Sequence, residues 1–534
     1  MKKYLFGILT PAVVLALVLP GCTKDLNLVP KNDITADSVF STAMGYKQAL
    51  AKAYGAFALT GNTGGTGSPD ISPQIINDEG NSDFLRLYWN LQELTTDEAS
   101  WTWQNDAGIR GLHELSWSSL NAIVGGVYYR SFFQIAVCND FIRQSTDDKI
   151  SGRGFTGADA DAIRMYRAEA RFLRAYQYWV LLDLYGNPPF VTENDPIAVG
   201  IPKQIKRADL FNYIESELKD IEATLAAPKS NEYGRADQAA DWALQARLYL
   251  NAKVYTGTER YTDAITYCTK IIGAGYSLHP DYRELTLADN NLNTDENIFT
   301  INYDALYTQN WGGTTYLTHG PAAVPGSISG TSGNWGGLRM TQNFVDLFQD
   351  TSIDKRAQFY TPGQNKVMTN LYVGTDGYSI TKYRNKTRTG APAPHADPAG
   401  NWTDIDFPLF RFAEIYLIYA EAVLRGGTGG STSTALDYIN LLRTRAGNGS
   451  TAGNITAGDL TLDFILDERG RELYFEAARR TDLIRFDKFT TSNYLWAWKG
   501  GVEGGTAVDA KYNIFPLPST DLTANPTLVQ NPGY

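Results

Sequence analysis

The sequence predicts a mostly α-helical fold, built from tetratricopeptide-like helical pairs with a long loop-rich insertion that carries the candidate ligand site. Three observations predict it. Residues 163–189 place apolar side chains three and four apart, at Phe172, Leu173, Tyr176, Trp179, Val180 and Leu184, which is the spacing of one helix face. Over 239–276, small residues (Ala243, Ala246, Ala264) alternate with large ones (Trp242, Leu250, Tyr261, Tyr267), a pattern that lets paired helices approach closely. From 287 to 400 the helix signals fade, and Gly, Asn, Thr and single aromatics take over; long irregular stretches inside a compact fold are usually functional.

The first residues form a targeting segment. Lys2 and Lys3 precede an apolar run at 4–19, and Leu19-Pro20-Gly21-Cys22 reads as a bacterial lipobox, with Pro20 an unusual residue there. Cleavage before Cys22 leaves residues 22–534, anchored by lipid on Cys22. The polar, Pro-interrupted stretch 23–33 reads as a tether. A helix begins near 35–37 and continues through MGYKQALAKAYGAFAL, and 61–78 is a Gly-, Ser- and Pro-rich stretch expected to form a mobile surface loop. Residues 77–113 are neither cleanly helical nor alternating, and carry Trp89, Trp101 and Trp103 among acids and amides. Helices follow at 127–143 and in the central stretch, where Gly186 supplies a left-handed end and Asn187-Pro188-Pro189 forbids another turn. Further helices are expected at 210–225 and 239–252, within 256–276, and briefly at 341–349. They return with FPLFRFAEIYLIYAEAVLRGG, ALDYINLLRTRAG and LDFILDERGRELYFEAARRTDLIRF.

The formal net charge is −11, which disfavours nucleic acid and polyanionic ligands and leaves neutral sugars open. Cys138 and Cys268 sit in apolar helical surroundings without a C-x-x-C, so a zinc site or redox pair is not expected. Residues 152–157 spell G-x-G-x-x-G, but a polar stretch and not a strand precedes them, so they read as a loop. No histidine falls in H-E-x-x-H and there is no G-x-S-x-G. Paired carboxylates cleave glycosidic bonds without a motif, so a hydrolase stays open on residues alone. Glu414 and Glu421 lie seven apart; Glu468, Glu472 and Glu476 lie four apart, with Arg479 and Arg480 one turn on. These read as structural ion pairs, with Arg167, Arg171 and Arg174 of the central helix as candidate partners. Asp404 and Asp406, two apart in an extended segment, point the same way and suit an oxygen-liganded cation such as calcium. For a neutral sugar, aromatic rings stack on flat C–H faces and a few polar groups fix orientation. Trp311 and Trp335 stand on Gly-flanked loops that allow close approach. Trp101 and Trp103 share a side if their segment is extended; a bend would separate them.

AEARFLRAYQYWVLLDLYGNPPF, RFAEIYLIYAEA, INLLRTRAG, DERGRELYFEAARRTDLIRF and the tail YNIFPLPSTDLTANPTLVQNPGY resemble blocks of the SusD/RagB family, in the family's order, across essentially the whole chain after Cys22. LQELTTDEASWTWQ, GRADQAADWALQARLYLNAKVYTG and NYLWAWKGG are similar to a starch-binding member. The resemblance implies one domain over 22–534, with halves at about 22–235 and 265–534. It implies an outward-facing outer-membrane lipoprotein that binds starch or maltooligosaccharides without catalysis, beside a SusC-type TonB-dependent transporter. It selects Trp101 as the exposed ring, with Trp103 packed, and adds Trp311, Trp335, Arg86 and Asp106; Trp311 stands where the relative has another aromatic, and Asp106 where it has an amide. It also implies calcium at Asp404 and Asp406, with Asn291 as a further ligand. The alternatives are another polysaccharide or a peptide on the same fold, a glycoside hydrolase, or a purely structural lid on the transporter.

Overall fold

The structure, a computed structural model, describes residues 36–534 apart from 62–63, 68, 73, 77 and 198–199. Cys22, the lipobox and the tether lie outside the described residues. The central helix spans Gly157–Leu184 and is buried on every side from Phe172 onward. Gly186, at φ 70°, turns the chain out of it. The helices Ala43–Ala58, Ala122–Gln144 and Arg207–Ile221 pack around it.

The pairs continue toward the C-terminus. Gln238–Leu250 packs on Tyr261–Ile272, and the small residues Ala243, Ala246 and Ala264 are fully buried where they meet. Phe412–Leu424 packs on Tyr261–Ile272 and in turn receives Thr432–Ala446 and Leu462–Leu473. One apolar cluster runs through all of them, from Ala53 to Leu528, and a small satellite of Phe40, Tyr46, Phe141 and Ile163 fills the space beneath the first long helix. Among the described residues no helix is long and apolar enough to cross a membrane.

Several elements differ from the sequence expectation, each for a physical reason. Phe84–Glu93, inside the stretch that had no clear period, is a helix buried at all ten positions, so no face alternates. The opening of FPLFRFAEIY is a strand, Phe407–Arg411, paired antiparallel with Asn297–Ile301; all five of its residues are buried, and an unbroken apolar run does not separate strand from helix. The helix Leu462–Leu473 stops before Glu476, because Phe475 and Ala477 take left-handed φ of 61° and 60°, and helix resumes at Arg479–Arg485. The 341–349 stretch is helical only over Gln342–Val345.

The aligned acids are structural, but not with the predicted arginines. Glu472 accepts from Arg411, Arg445 and Arg356, Glu468 from Arg356, Arg443 and Arg471, and Glu476 from Arg411 and Lys382. Burial raises the Glu472 carboxyl, and the guanidiniums of Arg445, Arg411 and Arg356 more than reverse this, holding it at about 2. Arg171 and Arg174 instead pair with Glu217, at 2.7 Å each, and Arg167 with Asp147 and the Ser145 carbonyl. Glu414 pairs with Arg247 and Glu421 with Arg485. Cys138 and Cys268 are buried free thiols, and burial pushes Cys138 up to about 12.

Candidate functional site

The loop-rich insertion and the segment around Trp101 are tied by a two-residue antiparallel pairing, Ser100 opposite Arg339 and Trp101 opposite Leu338. A Cβ added at Gly337 would lie 2.1 Å from the Trp101 ring, so only glycine lets the two strands close over it. The Trp101 amide donates to His113 Nε2 at 3.0 Å, and His113 Nδ1 lies 3.1 Å from the Leu94 carbonyl. Burial and the charge of Arg339 hold His113 down at about 4, so it is neutral here.

Trp101 is therefore not the exposed ring. It is 0% exposed, whereas Trp103 is 44% exposed. The strand ends at Trp101 and the chain bends, leaving the two rings 5.1 Å apart and inclined at 65°. The exposures expected for this pair are reversed, and Trp101 backs Trp103.

From Trp103 the rings continue. Trp101 lies 5.2 Å from Tyr316, Tyr316 lies 6.5 Å from Trp335, Trp335 lies 6.0 Å from Trp311, and Trp311 lies 4.1 Å from Trp402. Trp311 and Trp335 are half-buried, as a ring must be to offer one face and pack the other. Tyr316 sits on the short helix Gly313–His319, and its hydroxyl donates to Asn90 at 2.8 Å. Tyr316, Trp402 and His319 were not singled out from the sequence, although Trp402 repeats the Gly-Asn-Trp wording of Trp335.

Polar groups border this arc. Asp83 caps the helix Phe84–Glu93; one of its oxygens accepts both the Arg86 amide and the Gly313 amide, each at 2.8 Å. That joins the helix bearing Arg86 to the loop bearing Trp311. Burial raises the Asp83 carboxyl to about 6 against those bonds. The Arg86 guanidinium lies 4.5 Å from the centre of the Tyr316 ring and donates to the Trp311 carbonyl at 3.1 Å, while its buried Nε has no protein partner. Asp106 accepts from Trp101 Nε1 at 3.2 Å; partial burial raises its carboxyl, opposed by that bond and by Arg86. Glu79 accepts from the Trp311 amide at 3.1 Å and from Thr60. A Cβ at Gly65 would lie 2.3 Å from Trp402, so the described part of the 61–78 stretch covers the back of the Trp311–Trp402 pair. Trp103, Trp311, Trp335, Arg86 and Asp106 are thus brought to one place. A cavity of about 280 Å³ opens elsewhere, beside Tyr54, Tyr233 and Ile301.

Residues 295–534 match the SusD family model. The starch-binding protein SusD of Bacteroides thetaiotaomicron is 36% identical over 100% of this chain and 99% of its own length. The chain belongs to the SusD family. A SusD-like protein of Formosa agariphila, P2, is 25% identical over the full length of both chains. Among solved structures, a SusD superfamily protein from Parabacteroides distasonis superposes with a TM-score of 0.70 at 21% identity, covering 94% of this chain and 100% of that one. Surface glycan-binding protein A from Bacteroides thetaiotaomicron, in complex with laminarihexaose, superposes at 0.67 and 20% identity over 91% and 99%. These two similarities show that the fold is that of the SusD superfamily.

The cation residues expected in this SusD-family chain come together only in part. Asp404 shares a cluster with Asp304 and His395, with ligand-type atoms within 4.8 Å of one another. His395 Nδ1 lies 2.6 Å from Asp304 and 3.7 Å from Asp404. Asp406 stands behind, one oxygen accepting the Tyr303 amide at 2.9 Å. Burial raises Asp404 to about 6 and Asp406 to about 7, and neighbouring Asp304 adds to both. Crowded carboxylates of this kind are the donor set a hard cation takes. Asn291 does not join them: it is exposed, and the adjacent Asn290 makes the contact, exchanging bonds of 3.1 and 2.8 Å with the Asp406 backbone. The 3₁₀ turn Asn290–Leu292 has three residues per turn, so Asn290 faces inward while Asn291 and Leu292 both face solvent, which explains the one-residue shift.

Proposed function

We propose that this chain captures starch or maltooligosaccharides on the arc of Trp103, Trp335 and Trp311, and passes them to a SusC-type TonB-dependent transporter. The single observation that carries the reading is the arc itself. Its rings lie on loops from distant parts of the chain, which backbone hydrogen bonds at Trp101, Gly313 and Trp335 hold in place, and are bordered by Arg86 and Asp106. A neutral glucan binds by stacking and hydrogen bonding, and this surface offers both. The name of the 36% identical relative, a starch-binding protein, supports the glucan over other sugars. Binding without catalysis is the reading that the same relative's name supports.

The same proposal includes acylation of Cys22 and outward display at the outer membrane, supported by the lipobox. It also includes a structural calcium held by Asp304, Asp404 and, from behind, Asp406. Incubation with amylose tests the class. Retention without release of reducing ends is expected; reducing ends would mean a hydrolase, and no retention would mean a lid. Cys22→Ala is expected to leave the protein unprocessed or mislocalised on cell fractionation, and normal surface display of that variant would refute the anchor.

A further inference from the structure

Gly-Asn-Trp occurs at 333–335 and again at 400–402, and the two turns meet at one side chain. His319, buried at the end of the helix Gly313–His319, stacks on Trp335 with centroids 5.0 Å apart and planes within 13°. Its Nδ1 lies 2.8 Å from the Gly333 carbonyl, and its Nε2 lies 3.0 Å from the Asn401 carbonyl. Its own carbonyl accepts the Trp335 amide at 2.7 Å. One turn carries Trp335; the other carries Trp402, which backs Trp311. His319 thus spans the two turns that set the spacing of the arc.

Both ring nitrogens face acceptors. A neutral imidazole has one N–H, so one lone pair would confront a carbonyl at about the same distance; the imidazolium donates to both. His113 is the contrast: it accepts from one amide, lies beside one carbonyl, and needs a single proton.

We propose that His319 is a positioning residue whose imidazolium clamps the two Gly-Asn-Trp turns, so that glycan affinity at the arc rises as that proton is taken up. The inference rests on the glycan-binding reading above. Burial disfavours the His319 charge and the carbonyls of Gly333, Asn401 and Gly400 favour it, leaving it below the ordinary histidine value. A glycan stacked across Trp335 and Trp311 holds the turns at the clamped spacing and so raises the proton affinity. By linkage, the gain is fully present below the pKa of the free protein and is lost as pH rises through the pKa of the complex.

The charged groups around it are few in kind. Asp397, on the second turn, accepts the amides of Ala399 and Asn401; Arg86 lies over Tyr316, on the same short helix; the 331–337 loop carries no titratable side chain. Burial also raises the carboxyls of Asp83 and Asp106, which border the same arc, so the comparison is with a variant that changes His319 alone.

The test is calorimetry with maltoheptaose from about pH 7.5 to about pH 5.5 on the parent and on His319→Gln, whose amide donates to one carbonyl only. The parent is expected to gain about fivefold more affinity over that range than the variant, the worth of one added charge-assisted bond. Parallel pH profiles would overturn the proposal. The four histidines also permit ¹³C-imidazole spectra of the parent, with His319→Gln and His319→Asn assigning the signal. His319 is expected to take its second proton as the pH falls, and to do so at higher pH with maltoheptaose bound than without it. A ring that stays singly protonated to about pH 5 would overturn the clamp, whether or not the sugar binds. Absence of maltoheptaose binding at every pH, with normal protonation, would instead refute the ligand reading and with it the coupling of this proton to affinity.

Discussion

At the scale of single residues, the account turns on which rings are free and which are support. Trp103 offers a face to solvent and Trp101 lies beneath it, bonded at its amide and its indole nitrogen. The two substitutions should therefore separate. Trp101→Ala empties a fully buried site and is expected to lower stability by about 3–5 kcal/mol. Trp103→Ala removes an exposed ring, and its melting temperature should stay close to the parent's. Melting curves on the two variants check this, and equal destabilisation would mean that both rings are core. The expectation from the resemblance, Trp101 exposed and Trp103 packed, came out reversed because the answer depends on where the strand stops, and the Trp101–Leu338 pairing involves residues more than two hundred positions apart. Trp311 and Trp335 were selected by the resemblance, with their Gly-flanked loops allowing close approach, and the structure leaves both half-buried. Trp402 carried the same signal in its Gly-Asn-Trp wording, whereas Tyr316 and His319 sat in a short helix with nothing to mark them.

At the scale of elements, the C-terminal helices are joined by buried charge. Glu472 is fully buried among Arg356, Arg411 and Arg445, so removing it strands cations that cannot reach water. Glu472→Ala is expected to cost about 3–5 kcal/mol in denaturant unfolding. The pH dependence has a definite sign. The folded carboxyl is held at about 2, below the 4.5 of an ordinary glutamate, so its contribution is complete above about pH 4.5 and falls away as pH drops toward 2. The parent should lose stability steeply across that window and Glu472→Ala less steeply; identical slopes would mean that the network is not what acid disrupts. The many arginines in the sequence marked these aligned acids as structural, but did not show which arginines pair with them. The left-handed residues Phe475 and Ala477 swing Glu476 off the helix, and the partner arginines come from strand, loop and helix segments far away in sequence. A helix buried all round, such as Phe84–Glu93, has no periodicity to read.

At the scale of the whole molecule, repeated helix faces made the fold legible, while the insertion's course was not, because loops held by isolated bridges leave no periodic trace. The D-x-D pair was legible as a cation candidate; Asp304 and His395 were not, since only the folded chain brings them to it. If calcium is held there, it stabilises the folded state by mass action, and a chelator is expected to lower the melting temperature of the parent but not of Asp304→Ala/Asp404→Ala. An equal response in both would remove the cation from the account.

The central claim is that one aromatic arc binds the glycan. Its most direct test is calorimetric titration of maltoheptaose into the protein lacking residues 1–21, and into Trp103→Ala, Trp311→Ala and Trp335→Ala. The account predicts a loss of about 2 kcal/mol or more in binding for each variant, with folding intact. Undiminished binding in all three, with the variants folded, would contradict it.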